Sequence, residues 1–189
     1  MAIFSDRHIL LGVTGSIAGY KAADLASKLA QAGAKVDVIL TGAGQKFITP
    51  LTFQSVTGRR AYTDQDLWGN EAHVLHVNFG KTADLLLIAP CTADTMAKLA
   101  HGIADNLLTV TALAAQCPLV IAPAMDGGMF SNAVTQKNLE ILKKRGTVIV
   151  GPAEGHLASG LTGTGRMVEP AEIFGQLRVV LGKYGNLAG

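Results

Sequence analysis

Loops rich in glycine and hydroxyl side chains are the first indication of chemistry in this sequence. Residues 15–17 read GSI soon after the apolar run 8–13, and residues 41–43 read TGA after the run 35–40. Glycine lets a backbone approach a ligand closely, and the free N–H groups at a helix start favour an anion. Such segments predict a site for a phosphate-bearing ligand, although each one alone also suits an ordinary tight turn.

A third segment of this kind, residues 92–95 with the sequence TADT, follows the apolar run 84–89. Two hydroxyl-rich helix starts at one edge of a sheet favour a phosphate ligand more than either does separately. Gly12, Gly15 and Gly19 do not form the pattern G-x-G-x-x-G, so a nicotinamide dinucleotide is not indicated.

A carboxylate lies in a fourth segment, where Asp126 follows the apolar run 119–123 on a turn that contains Gly127 and Gly128. An ionised carboxylate accepts hydrogen bonds but donates none. The position suits either a ligand-binding group or a side chain that caps the following turn.

Alternating strand-length and helix-period stretches must position these segments. The strand-length runs are nearly continuous in apolar character, as expected for a parallel sheet that is covered on both faces. The alternation predicts an α/β fold, a three-layer doubly wound parallel sheet in a single domain over residues 1–189. Ligands bind beyond the carboxyl ends of such strands, so the loops should meet at one edge. The predicted strands are 8–13, 35–40, 84–89, 119–123 and 147–150, and the predicted helices are 20–33, 93–102, 104–116, 132–146 and a last one near 170–182.

Composition and patterning argue against several classes of partner. A net charge of +2 is close to neutral, so no nucleic acid is expected. The apolar runs are too short to span a bilayer, and the N-terminus does not resemble a secretory signal. Cys91 and Cys117 are far apart and lack partners at zinc spacing, so we expect reduced thiols, no metal and a cytoplasmic location.

Four stretches of the chain resemble the homo-oligomeric flavin-containing cysteine decarboxylases. They are GVTGSIAGYKAADLASKL, IAPCTADTMAKLAHGIADNLL, PAMDGGMF and GRMVEP, and the resemblance extends over nearly the whole chain in order. It implies a Rossmann-like, flavodoxin-like flavoprotein fold with FMN as the cofactor. It is closest to the branch that decarboxylates 4'-phosphopantothenoylcysteine to 4'-phosphopantetheine in coenzyme A biosynthesis.

The resemblance also implies where FMN binds. In the family FMN lies at a subunit contact within trimers, which often stack into dodecamers, so a homotrimer or dodecamer is expected. The residues assigned to FMN in this way are Gly15, Ser16, Ile17, Thr41, Gly42, Ala43, Thr92, Ala93, Asp94, Thr95 and Met125.

The family reaction needs an acid–base group. Flavin takes a hydride from the carbon that bears the thiol, CO2 leaves to give an enethiol, and the reduced flavin returns the hydride. The family's acid–base residue is a histidine upstream of an Ala-Asp strand start, and His76, eight residues before Asp84, matches it. We expect this loop histidine to be catalytic and His73 to be a surface residue.

Two positions depart from the family pattern. Asp126 replaces an asparagine that binds the substrate carboxylate. The aspartate is therefore protonated and donates a hydrogen bond, or backbone N–H groups of Gly127 and Gly128 replace it, or the substrate differs. Ser159 replaces a cysteine that donates the final proton, and a hydroxyl is a far weaker acid than a thiol.

The segment around Ser159 resembles the family's substrate clamp. Its glycines Gly160, Gly163 and Gly165 suit either a mobile lid or an ordinary surface loop. Arg166 would pair with the substrate phosphate or with an acidic neighbour. The residues assigned to the substrate through the resemblance are Asp126, Ala158, Arg166 and Met167, with His76 and Ser159 as catalytic groups.

The sequence also permits two further functions. Ser159 favours an oxidative decarboxylase that acts on a cysteinyl substrate and stops at the enethiol. Some relatives are non-catalytic regulatory subunits, although this chain lacks their long acidic tails. The C-terminal residues 183–189 resemble the start of a linker to a ligase domain, which implies a phosphopantothenate–cysteine ligase as a partner and a chain derived from a bifunctional protein.

Overall fold

A parallel sheet that is covered on both faces forms the centre of the molecule. The computed structural model describes residues 3–68, 74–156, 160 and 162–185. Six strands pair in parallel in the order β3-β2-β1-β4-β5-β6, and β7 and β8 form a separate antiparallel hairpin. The strands are β1 (His8–Val13), β2 (Lys35–Leu40), β3 (Ala61–Tyr62), β4 (Leu85–Cys91), β5 (Leu119–Pro123), β6 (Val148–Ile149), β7 (Ala153–His156) and β8 (Thr162–Arg166).

Helices cover both faces of the six-stranded sheet. They are α1 (Gly19–Gln31), α2 (Pro50–Thr57), α3 (Leu75–Thr82), α4 (Ala93–His101), α5 (Leu107–Ala114), α6 (Gly127–Ser131), α7 (Ala133–Lys144) and α8 (Pro170–Gly185). Short 3₁₀ turns lie at Gly44–Lys46 and Asp64–Leu67. None of these described helices is long and apolar enough to cross a membrane.

Two apolar cores follow from the alternation of side chains along the strands. Ile9, Leu11 and Val13 of β1 belong to the core that α1, α2 and α8 cover. Leu10, on the opposite face of β1, belongs to the core that α3, α4, α5 and α7 cover. The three-layer α/β prediction is therefore confirmed, and the continuous apolar strands reflect a sheet buried on both sides.

The predicted elements agree best where the apolar pattern is long. Strands β1, β2 and β5 have the predicted bounds, whereas β4 extends to Cys91 and β6 shrinks to two residues. Helices α2, α3 and α6 and strand β3 were not predicted, because they are short and carry little periodicity. The loop assignment of His76 was wrong, since it lies on α3. Gly163 and Gly165 lie in β8 rather than in a loop.

A buried ionic cluster lies at the amino edge of the sheet, away from the loops discussed above. Asp37 of β2 is only 4% exposed. It accepts hydrogen bonds from Arg59 Nε at 2.8 Å and Nη2 at 2.9 Å, and it pairs with His8 Nε2 at 2.8 Å. Burial opposes ionisation of Asp37, but the hydrogen bonds from His8 and Arg59 outweigh it and lower the pKa of the carboxyl. This cluster joins β1, β2 and the turn after α2.

Candidate active site

A cavity of about 990 Å³ opens at the carboxyl edge of the sheet, where β1, β2, β4 and β5 end. Four loop segments line it, namely residues 15–18, 41–43, 92–95 and 124–126. Its volume lies at the upper end of the roughly 300–1,000 Å³ that is usual for pockets holding small organic ligands. The predicted convergence of the four loops at one edge is therefore confirmed.

The loop after β1 packs directly on the loop after β2. A Cβ atom on Gly15 would lie 2.6 Å from the Cβ of Ala43, so only glycine fits this contact. The hydroxyl of Ser16 accepts a hydrogen bond from the N–H of Ala18 at 3.2 Å. The N-cap residue of α1 is Ala18, so Ser16 does not cap the helix. The serine instead stabilises the turn that precedes the helix.

The loop after β2 forms a second tight rim. Thr41 is buried, and its Oγ1 accepts from the N–H of Gly44 at 3.1 Å. The N–H of Gly42 donates to Asp64 Oδ2 at 3.3 Å, and the other oxygen of Asp64 accepts from the N–H of Leu107 at 3.0 Å. Asp64 therefore ties this rim to the start of α5.

The loop after β4 presents the start of α4 to the cavity. Thr92 is the N-cap residue, and its Oγ1 accepts from the N–H of Thr95 at 3.4 Å. The N–H of Thr92 donates to Thr14 Oγ1 at 3.1 Å, which fixes this loop against the end of β1. A hydroxyl-rich helix start that faces a cavity is a favourable environment for an anionic group.

Asp126 both lines the cavity and caps a helix. It is the N-cap residue of α6, and its Oδ1 accepts from the N–H of Gly128 at 2.9 Å. The capping interpretation is thus confirmed. Because that N–H is already engaged, Gly128 is a weaker candidate for binding a substrate carboxylate than Gly127.

The β7–β8 hairpin supplies the remaining wall. His156, Gly165, Arg166 and Met167 line the cavity. Arg166 donates to Glu169 Oε1 at 2.7 Å, so it has the acidic neighbour that the sequence left as one of two alternatives. The candidate substrate residues Ala158 and Ser159, like His73, lie outside the described residues.

His76 does not line this cavity. It lies in the first turn of α3 and is partly buried. Its Nδ1 is buried without a hydrogen-bond partner among the described residues. A polar nitrogen in this state is unusual in a folded protein, and the part of the chain that the structure describes offers it no partner.

The two cysteines cannot serve as acids here. Cys91 lies directly before the α4 rim, but it is fully buried, and burial raises the pKa of its thiol far above the ordinary range. Burial also raises the pKa of Cys117 to about 11. Both thiols are free, as predicted. No cluster of His, Cys, Asp or Glu that could hold a metal occurs within the described ranges.

Several cavity residues were not predicted from the sequence. The most informative is Lys21, a lysine within the apolar stripe of α1 that also contains Ala22, Leu25 and Leu29. A charged residue on a buried helix face was a usable signal, since an ammonium group is buried only where it is paired. The other unpredicted lining residues are Ala18, Tyr20, Phe47, Asp64, Lys98, Asp105, Asn106, Ala124, Met129 and His156.

Comparisons with known proteins agree with this geometry. The model of the Flavoprotein family matches residues 4–181. The coenzyme A biosynthesis bifunctional protein CoaBC of Bacillus subtilis (strain 168) is 44% identical over 171 residues, which are 90% of this chain and 42% of that protein. The chain thus spans less than half the length of this relative.

Two solved structures are similar over nearly their whole length. One is a cysteine-to-serine mutant of a PPC decarboxylase complexed with pantothenoylaminoethenethiol, with a TM-score of 0.84, 35% identity, and coverage of 92% of this chain and 97% of that one. The other is the FMN-dependent cysteine decarboxylase SpaF, with a TM-score of 0.80, 32% identity, and coverage of 96% and 98%. The chain belongs to the Flavoprotein family, and its fold is that of the PPC decarboxylases.

Proposed function

We propose that this chain is an FMN-dependent decarboxylase that converts 4'-phosphopantothenoylcysteine to 4'-phosphopantetheine. The cavity carries the proposal, because glycine, hydroxyl groups and a helix start converge there as a phosphate-bearing cofactor requires. Its apolar lining by Ile17 and Met125 suits a flat aromatic ring. The 35% identity to a PPC decarboxylase supports the substrate class.

The residues present fit FMN. The segments 15–17 and 41–43 would hold one side of it, and Thr92, Ala93, Asp94 and Thr95 would hold the other. The contact between Gly15 and Ala43 keeps the first two segments close together, which preserves the width of the cleft. When bound, FMN supplies a hydride acceptor and donor. The protein supplies binding, orientation and exclusion of water.

The substrate would lie between FMN and the β7–β8 hairpin. Asp126, Arg166 and Met167 line this part of the cavity. Ala158 and Ser159, which follow β7 in the sequence, are assigned to the substrate through the family resemblance alone. Asp126 keeps one carboxylate oxygen on the Gly128 N–H, and a protonated Asp126 would donate a hydrogen bond to the substrate carboxylate.

We assign the acid–base role to His76 of a neighbouring copy. Within one chain His76 does not line the cavity, and its Nδ1 lacks a partner among the described residues. Ile17 and Tyr20 at the cavity mouth are 60% and 63% exposed. A second protomer would cover these apolar side chains and bring its histidine to the substrate. A homotrimer, alone or stacked into a dodecamer, is the assembly we propose.

A second candidate is decarboxylation that ends at the enethiol. The solved complex of a PPC decarboxylase with pantothenoylaminoethenethiol carries serine in place of a cysteine. This chain has serine at Ser159, where the family resemblance expects cysteine. A serine hydroxyl is a poor proton donor, so the last reduction would be slow unless water or another acid replaces it.

The experiment that tests the proposal is a product assay. Purified FMN-loaded protein is incubated with 4'-phosphopantothenoylcysteine, and the products are identified by mass spectrometry. Loss of CO2 alone indicates 4'-phosphopantetheine, whereas loss of CO2 and two hydrogens indicates the enethiol. If protein that contains FMN releases no CO2 from 4'-phosphopantothenoylcysteine, the proposal is overturned. The CoaBC relative is more than twice as long as this chain, so a ligase partner is part of the proposal, to be tested by co-purification.

A further inference from the structure

A buried lysine connects helix α1 to the strand that forms the far wall of the cavity. Lys21 is only 4% exposed. Its Nζ donates to the carbonyl oxygen of Met167 at 2.9 Å and to Glu169 Oε1 at 2.8 Å. Burying an ammonium group is unfavourable unless it is paired and hydrogen-bonded, so the side chains in this arrangement hold one another in place.

The same carboxylate oxygen also binds an arginine. Arg166 Nη2 donates to Glu169 Oε1 at 2.7 Å, so Glu169 lies between two cations. The hydrogen bond from Lys21 lowers the pKa of the Glu169 carboxyl, which therefore remains ionised near neutral pH. Two positive charges that share one negative charge leave a net positive cluster. We call Lys21, Glu169 and Arg166 the cationic cluster.

The Arg166 end of the cationic cluster faces the cavity. Arg166 lines the cavity and its side chain is 43% exposed. It lies across Gly155 of the adjacent strand, where a Cβ atom would be 3.3 Å from Arg166 Nη1. A guanidinium carries five N–H donors, and the bond to Glu169 leaves several of them for a ligand. Its planar fork matches the oxygens of a phosphate group.

We propose that Lys21 is a positioning residue, which acts through Glu169 to hold the Arg166 guanidinium at the cavity rim as the binding group for the terminal phosphate of the substrate. This inference rests on the proposed function for the identity of the substrate. In this inference Lys21, a buried residue of α1, controls the contact that Arg166 of the β7–β8 hairpin makes with the substrate. The cationic cluster sets the preference for phosphorylated over non-phosphorylated ligands.

A purely architectural role for Lys21 makes a different prediction. If Lys21 and Glu169 only anchored the hairpin, their loss would weaken every ligand of the cavity alike. If they position Arg166, their loss weakens phosphorylated ligands alone. The ratio of the two affinities therefore separates the two roles, whereas stability measurements do not.

The test is calorimetric binding of 4'-phosphopantetheine and of pantetheine to FMN-loaded protein. We expect Arg166→Gln to weaken 4'-phosphopantetheine binding by at least about tenfold and to leave pantetheine unchanged. Lys21→Met and Glu169→Gln should each reproduce most of this selective loss. The double variant Lys21→Met/Arg166→Gln should bind no more weakly than Arg166→Gln, because both changes remove one interaction.

The matched control is Lys28→Met, which removes a lysine of the same helix that pairs with Asp24 on the surface. It should leave both affinities unchanged. Glu169 is exposed, so Glu169→Gln decides the question if Lys21→Met does not fold. Equal weakening of both ligands by either variant, additive losses in the double variant, or a wild-type protein without phosphate preference overturns the inference.

Failure of the proposed function gives a distinct result. If the wild-type protein prefers 4'-phosphopantetheine through the cationic cluster but releases no CO2 from the cysteine precursor, the decarboxylase function is refuted and the role of the cluster is supported. If it releases CO2 but binds both ligands equally, the decarboxylase function is supported and the role of the cluster is refuted.

Discussion

The main-chain N–H of Met125 donates to the carbonyl oxygen of Gly165 at 3.0 Å, which joins the end of β5 to strand β8 beside the cavity. A Cβ atom on Gly165 would lie 2.3 Å from the carbonyl oxygen of Met125 and 3.2 Å from the carbonyl carbon of Asp126. Both are backbone atoms that cannot move aside as a flexible side chain can. Position 165 therefore has to be glycine for the hairpin to dock as it does.

The first prediction concerns this contact. Gly165→Ala should displace β8 and lower kcat/KM for decarboxylation by at least about tenfold, because a misplaced substrate wall costs catalysis. FMN should still bind, since the segments 15–17 and 41–43 are not affected, although displacement of Met125 would weaken its binding. The control is Gly175→Ala in α8, where the added Cβ meets open space. It should raise the free energy of unfolding by about 0.5–1 kcal/mol and leave turnover unchanged. Wild-type kcat/KM in Gly165→Ala would contradict the argument.

The second prediction concerns His76. We expect His76→Asn to retain FMN absorbance and to lose turnover, because the acid–base group is removed without altering the cavity lining. Co-expression of His76→Asn with Gly165→Ala should restore activity, since an intact histidine of one copy would meet an intact cavity of another. Random mixing in a ring gives about one competent site in four. Mixed assemblies no more active than either parent would show that His76 does not act across a subunit contact.

The third prediction concerns the last proton transfer. Ser159→Cys should increase the proportion of fully reduced product relative to enethiol, because a thiol with a pKa near about 8.5 donates a proton more readily than a hydroxyl. Mass spectrometry of the product mixture measures this ratio. Ser55→Cys is the control, since Ser55 is an exposed serine of α2 that does not line the cavity. An unchanged ratio in Ser159→Cys would remove this position from the proton transfer.

The fourth prediction concerns stability at the opposite edge of the sheet. The folded-state pKa of Asp37 is lowered, although burial opposes this, because His8 and Arg59 bind the ionised carboxylate. The carboxylate therefore stabilises the fold above the ordinary aspartate pKa of about 3.9, and this stabilisation is lost as the pH falls through the lowered value. Asp37→Asn should lower the free energy of unfolding by about 1–3 kcal/mol at pH 7, and this difference should shrink as the pH falls through the lowered pKa of Asp37.

Urea unfolding between pH about 2 and pH 7 measures this difference. Asp24→Asn serves as the control, because Asp24 forms a solvent-exposed pair with Lys28. It should change stability by less than about 0.5 kcal/mol at any pH. A pH-independent effect of Asp37→Asn would mean that lost packing, rather than lost charge, causes the destabilisation.

The sequence predicted the sheet and the cavity edge well, for a physical reason. Buried parallel strands such as β1 and β4 need continuous apolar runs, and such runs are visible in the sequence. The glycine and threonine segments that follow them then had to meet at one edge. The bounds of short elements such as α3 were not visible, because eight residues carry too little periodicity to separate a helix from a loop.

The missed parts of the site depend on long-range contacts. The pairing of Lys21 with Glu169 joins residues 148 positions apart, and no local pattern encodes such a pair. The dual use of Asp126 as a cap and as a cavity residue likewise needs the fold of α6. The position of His76 outside the cavity could not be foreseen from the sequence, since its spacing to Asp84 does not say where α3 lies relative to the cavity.

Titration of FMN into the apoprotein, followed by flavin fluorescence, shows whether the cavity at the carboxyl edge of the sheet binds this cofactor. Wild-type protein should bind equimolar FMN. Gly15→Val should weaken binding by at least about tenfold, because the new side chain would separate segment 15–17 from Ala43, only 2.6 Å from the Cβ position. Gly175→Val, placed in open space, should bind FMN as wild type does. Apoprotein that does not bind FMN, or Gly15→Val that binds it with wild-type affinity, would contradict the account.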